Sequence, residues 1–130
     1  MNITCAPYSA ADTNFAFVNY QACQIYACPG TTVNASGCGD GNGDDSNDQY
    51  LSLSDESGSI FAFNDDSCGS RSKLSYVVPS SAACQLYVLH EGCYSSTSCF
   101  GHITISGKLL IACLPLPCCH CLCHLSPCGL

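Results

Sequence analysis

Eight of the ten acidic residues fall between Asp40 and Asp66, and their spacing is the first place in the chain where chemistry can be sought. Asp40-x-Asn42-x-Asp44 repeats the alternating oxygen ligands that open an EF-hand loop. The sixth position is Asp45 where glycine is required and the twelfth is Leu51 where glutamate is required, so an EF-hand is excluded. A looser Ca²⁺ site drawn from Asp40, Asn42, Asp44, Asp48, Asp65 and Asp66 stays open beside a plain solvated loop. Ca²⁺ accepts carboxylate, amide and carbonyl oxygens in flexible number, and a divalent cation offsets the repulsion of crowded carboxylates. Calcium is therefore the one cofactor expected. Asp65-Asp66 equally suits a turn, because Asp bonds its own backbone two residues on. Acid–base catalysis by that pair would need a histidine, lysine or serine at interpretable spacing, and none accompanies it. His90 alternates with Leu86 and Val88, which predicts a structural histidine facing inward, and His102 carries no more signal.

Fourteen cysteines in 130 residues, about 11%, is the density of a disulfide scaffold. That chemistry needs an oxidising compartment, so a secreted or cell-surface protein is expected. The sequons at Asn2 and Asn34 agree with that compartment as N-glycosylation sites. The eight cysteines from Cys5 to Cys99 form an even set with 105 connectivities. Cys93 and Cys99 bracket a short polar loop and are the strongest pair; Cys23 or Cys28 with Cys38 is a weaker one. The sequence starts without a basic n-region or an apolar h-region. An internal piece of a longer secreted protein, or an incomplete gene model, is the expected explanation.

The net charge of −7 leaves only Arg71, Lys73 and Lys108 as basic residues, too few for a nucleic-acid footprint. Cations, extracellular proteins, glycans or further copies of the chain are the expected partners.

The elements that must position these groups read as short strands. Period-two apolar spacing recurs at Leu51/Leu53, Phe61/Phe63, Leu74/Tyr76/Val78, Leu86/Val88 and Ile103/Ile105, each bounded by turn residues. Residues 14–20, 24–27 and 31–35 add three candidates, and a glycan on Asn34 would have to sit on the solvent face. Eight or so antiparallel strands and almost no helix predict an all-β, disulfide-reinforced β-sandwich of jelly-roll type. The domain is expected to span residues 1–107, with 1–13 as a lead-in loop tethered by Cys5.

Within residues 31–107, Asp48-Gln-Tyr50-Leu-Ser-Leu53, Asp55-x-Ser57-Gly58, Asn64-Asp-Asp66, Gly69, Ser72-x-Leu74-x-Tyr76, Pro79, Leu86-Tyr87-Val88 and Gly92 resemble the bacterial pre-peptidase C-terminal domain. The resemblance implies a β-sandwich serving secreted proteases and other exoproteins as a non-catalytic accessory or binding module. Cys38, Cys68, Cys84, Cys93 and Cys99 depart from the family pattern and suggest a disulfide-reinforced relative.

Residues 108–130 differ in kind, with six cysteines, three prolines and no acid. Pro115 and Pro117 break the apolar run after about eight residues where a spanning helix needs roughly twenty, so no membrane span is expected. Cys118-x-x-Cys121 and His120-x-x-x-His124 interleave too closely for one tetrahedral zinc ion, and the tail cysteines are weak palmitoylation candidates. A disordered, non-native extension is expected. The functional expectation is a non-enzymatic accessory or adhesion module, with a repeat subunit of an extracellular filament or coat, or the appended domain of a secreted peptidase, as alternatives.

Overall fold

The computed structural model describes residues 3–39 and 47–107. They form ten strands and, among the described residues, no helix: β1 (Ile3–Thr4), β2 (Tyr8–Ala11), β3 (Gln21–Ala27), β4 (Thr32–Ser36), β5 (Gln49–Asp55), β6 (Ile60–Asn64), β7 (Lys73–Val77), β8 (Gln85–Cys93), β9 (Ser98–Gly101) and β10 (Thr104–Ser106). All pairings are antiparallel, and five of them nest. Ile3 pairs with Ile105, Tyr8 with Gly101, Gln21 with Glu91, Thr32 with Val77, and Leu51 with Asn64. The chain is thus one long two-stranded ribbon, turned back at Asp55 to Ser59 and rolled up. Rolling adds the contacts β10 to β4 and β5 to β8, which close two four-stranded sheets ordered β1-β10-β4-β7 and β3-β8-β5-β6, with β2-β9 bridging as a short third sheet. This is the jelly-roll arrangement.

The core lies between the sheets. Ile25, Leu51, Leu53, Tyr87 and Leu89 from one sheet meet Val33, Ala35, Leu74 and Ile105 from the other in a single buried cluster. At the ribbon's tip, the Asp55 carboxylate accepts hydrogen bonds from Ser57 Oγ (2.6 Å), Ser57 N (2.9 Å) and Ser59 N (3.0 Å). Its pKa is held below the usual range by these bonds, the Ser57 side chain first. Asp55 is therefore committed to the turn.

Four disulfides join Cys5 to Cys23, Cys28 to Cys84, Cys38 to Cys68, and Cys93 to Cys99. They place the chain in an oxidising, extracellular environment. Cys38 pairs with Cys68 and not with Cys23 or Cys28, because the ribbon sets Ala27 opposite Gln85 and so carries Cys28 to Cys84. No helix among the described residues is long and apolar enough to cross a membrane.

Three expectations are corrected. Residues 1–13 are not simply a lead-in loop: β1 and β2 lie there, paired with β10 and β9, and Tyr8 is buried. Residues 14–20 form turns, not a strand, with Asn14, Phe15, Ala16 and Asn19 all at positive φ. In β8 the core side chains are Tyr87 and Leu89, one step out of phase with Leu86 and Val88. His90 consequently faces the outer side of its sheet. Asn2, Asp40, Asn42, Asp44 and residues 108–130 lie outside the described residues, so the tail and part of the acidic loop receive no structural account.

Candidate functional site

The outer face of the β3-β8-β5-β6 sheet is covered in part by residues 12–20, and the covering has a specific cause. Thr13 Oγ1 donates to Cys93 O (2.8 Å) and accepts from Cys93 N (2.8 Å) and Ala16 N (3.2 Å), so one buried hydroxyl ties the segment to the end of β8. Gly92 supplies the room, since a Cβ there would fall 2.6 Å from the Cβ of Ala16. His90 closes the contact. Its Nδ1 lies 3.1 Å from Ala16 O, its Nε2 lies 2.9 Å from Ser54 Oγ, and its ring stacks on Tyr20 at 3.9 Å. Burial, only partly countered by the Ala16 bond, lowers its pKa and favours the neutral ring. The left-handed backbone of Asn14, Phe15 and Ala16 costs roughly 1–2 kcal/mol per residue and is sustained by these distant partners.

The segment projects Phe15 and Phe17 beside the sheet and so makes a cleft. Tyr50 and Ser52 of β5 and Ile60, Phe61 and Phe63 of β6 complete its lining around a volume of about 370 Å³. Phe15 meets Tyr50 edge-on at 5.5 Å and Tyr94 at 4.9 Å, while Tyr50 stacks on Phe63 at 6.2 Å. Phe17 and Phe63 are 66% and 67% exposed, a costly arrangement in a chain with few large apolar side chains.

The acidic triad lies at the end of the same face. Asp48, Asp65 and Asp66 bring carboxylate oxygens within 4.8 Å of one another. Ser72 holds the two strands' ends together: its Oγ donates to Gln49 O at 2.6 Å and also lies against Asp65 O, while Gln49 N donates to Ser70 O (2.9 Å). The Cys38–Cys68 bridge pins the same turn. Burial, then the neighbouring charge of Asp66, raises the pKa of Asp48; burial, then Asp66 and Asp48, raises that of Asp65. Asp48 Oδ1 and Asp65 Oδ1 are shielded from solvent with no hydrogen-bond partner. The structure therefore brings Asp48, Asp65 and Asp66 together from the six residues named as calcium ligands, and says nothing of Asp40, Asn42 and Asp44.

Two features escaped sequence reasoning. One is the cleft, whose walls come from segments more than thirty residues apart in the chain. The other is Glu91, which points into the core, is 1% exposed, and leaves its Oε1 without a partner. Burial pushes its pKa up to about 7. Tyr8, whose hydroxyl donates to Gly92 O (3.2 Å), has its own pKa raised by burial and then by the Glu91 charge. Asn34 sits between the fully buried Val33 and Ala35, so its side chain is on the outer face of β4.

No family model matches the sequence, and no curated protein matches it.

Proposed function

We propose that this chain is a non-enzymatic accessory or adhesion module, secreted or displayed at a cell surface, that holds extracellular proteins or glycans through the aromatic cleft. The exposed cleft of Phe15, Phe17, Tyr50 and Phe63 is the observation that carries the reading, since a monomer gains nothing by leaving those rings in water. The commitment of His90 and Asp55 to holding the fold supports a non-catalytic role. The resemblance to the pre-peptidase C-terminal domain supports it too, and appendage to a secreted peptidase is one form such a module takes. N-glycosylation at Asn34 fits its outward side chain.

Assembly into a filament or coat is the second reading, favoured by the apolar edge strand β6. Charge weighs against it. Antiparallel pairing of two β6 strands sets Asp55 and Glu56 of one copy toward Asp65 and Asp66 of the other.

A Phe17→Ser/Phe63→Ser variant changes only well-exposed side chains. It is expected to keep the wild-type melting temperature and to lose the binding that wild type displays on an array of extracellular proteins and glycans. Wild type that binds nothing on the array, or a variant that binds as well, would sink the proposal.

Calcium at Asp48, Asp65 and Asp66 is a separate part of the reading. Extracellular modules hold Ca²⁺ with dissociation constants of roughly 10⁻⁴–10⁻³ M, and a hundredfold excess stabilises a fold by about 2.7 kcal/mol. The melting temperature is therefore expected to rise in Ca²⁺ and to fall back in chelator, with no response in Asp65→Asn/Asp66→Asn. Identical wild-type melting curves in both media would remove calcium.

A further inference from the structure

We propose that the cleft takes the basic side chain, arginine or lysine, of a partner protein. The inference rests on the binding-module reading above and names its ligand.

The strand register places the aromatic and acidic groups on one face. Side chains alternate along a strand, so Asp48, Tyr50 and Ser52 share the outer side of β5. Ser52 pairs with Phe63 and Leu51 with Asn64, which sets Phe63 and then Asp65 on that same side of the neighbouring chain. Within one strand's length the surface therefore runs from the rings of Phe17 and Phe63 to the carboxylates of Asp48, Asp65 and Asp66. Burial, and then the charge of Asp65, raises the pKa of the Tyr50 hydroxyl, in keeping with the closeness of the two halves.

Each half excludes part of the ligand field. Aromatic faces attract a cation and also bury the apolar stem that carries it. The carboxylates of Asp48, Asp65 and Asp66 crowd within 4.8 Å of one another with Asp66 exposed, and a guanidinium or ammonium brings several donors and no acceptor to them. Ca²⁺ and a basic side chain compete for these carboxylates, and only the basic side chain also uses the rings. A neutral apolar ligand would use the rings and leave the carboxylates repelling one another. Acidic ligands and anionic lipid surfaces are repelled by the net charge of −7. A second copy is a poor source of the side chain, because among the described residues only Arg71 and Lys73 are basic and both lie in the turn and strand that follow the triad.

The test uses capped pentapeptides identical except for a central arginine, citrulline or glutamate, titrated in chelator by calorimetry or by NMR shifts. Citrulline keeps the shape of arginine and removes its charge. Arginine is expected to bind roughly tenfold tighter than citrulline, as a partly desolvated cation–π contact with a carboxylate partner implies. Glutamate is expected not to bind. Asp65→Asn should abolish the arginine advantage, and Tyr50→Leu, which keeps apolar bulk without a π face, should reduce it, with cooperative thermal unfolding retained in both. Equal binding of arginine and citrulline, lost in Phe17→Ser/Phe63→Ser, overturns the cation preference and leaves the binding module standing. Failure of the arginine peptide to bind also overturns the inference, and the array then decides the module by itself.

Discussion

Replacing Cys28 and Cys84 together by alanine is expected to lower the stability of the fold by about 4 kcal/mol, the loop-closure value for a bridge spanning 56 residues. The bridge joins the end of β3 to the start of β8, so it restrains the unfolded chain across most of the ribbon. Cys93–Cys99 closes a separation of only 6, and its removal is expected to cost about 2 kcal/mol by the same relation. Denaturant unfolding of the two double variants measures both. A Cys93→Ala/Cys99→Ala variant that loses as much as the Cys28→Ala/Cys84→Ala variant would show that loop closure does not set their contributions.

The second large effect is on pH dependence. In the unfolded chain Glu91 titrates near 4.5, and in the folded chain near 7. The unfolded state therefore releases its proton first as pH rises. Stability is fully present below about 4.5, declines through the interval up to about 7, and is flat above it, with a total loss of about 3 kcal/mol. Tyr8 is the titratable group facing Glu91, and its raised pKa keeps it neutral throughout this window. His90 acts in the opposite direction, because its lowered pKa makes folding less favourable as pH falls below the usual imidazole range. Glu91→Gln is expected to flatten the decline above pH 5 while leaving the acid limb from His90 in place. A Glu91→Gln profile that matches wild type between pH 5 and 8 would contradict the placement of Glu91.

The strands that hold Leu51/Leu53, Phe61/Phe63, Leu74/Tyr76, Leu86/Val88 and Ile105 were legible from their apolar alternation, whereas the four residues of β9 were not. The phase of β8 was not, since Leu86, Tyr87, Val88 and Leu89 are all apolar and such a run carries no signal of face. Phe15 and Phe17 alternate like strand residues, yet the backbone from Asn14 to Ala16 is left-handed because of Thr13, His90 and Gly92. Two of those three partners lie more than seventy residues away, beyond any local pattern. The pairing of Cys93 with Cys99 was visible in a short loop, whereas Cys28 with Cys84 depends on the nested ribbon. For the acidic groups, the sequence shows crowding near Asp48 and Asp65. The register of β5 on β6 is what brings Asp48, Asp65 and Asp66 together among the described residues.

The nesting of the ribbon also governs the order in which the molecule can be made. β1 has its partner in β10 and β2 in β9, so the first strands to leave the ribosome wait for almost the last. Among the described residues only the hairpin of β5 and β6 pairs strands that are neighbours in the nascent chain. The nesting therefore favours folding that starts from the middle and proceeds outward in both directions. Cys93 and Cys99 can meet early through a short loop, while Cys28 and Cys84 remain thiols until β3 has found β8. Oxidation that outruns this sequence traps wrong pairs, and reshuffling of disulfides, as well as their formation, is expected to limit the yield of native protein.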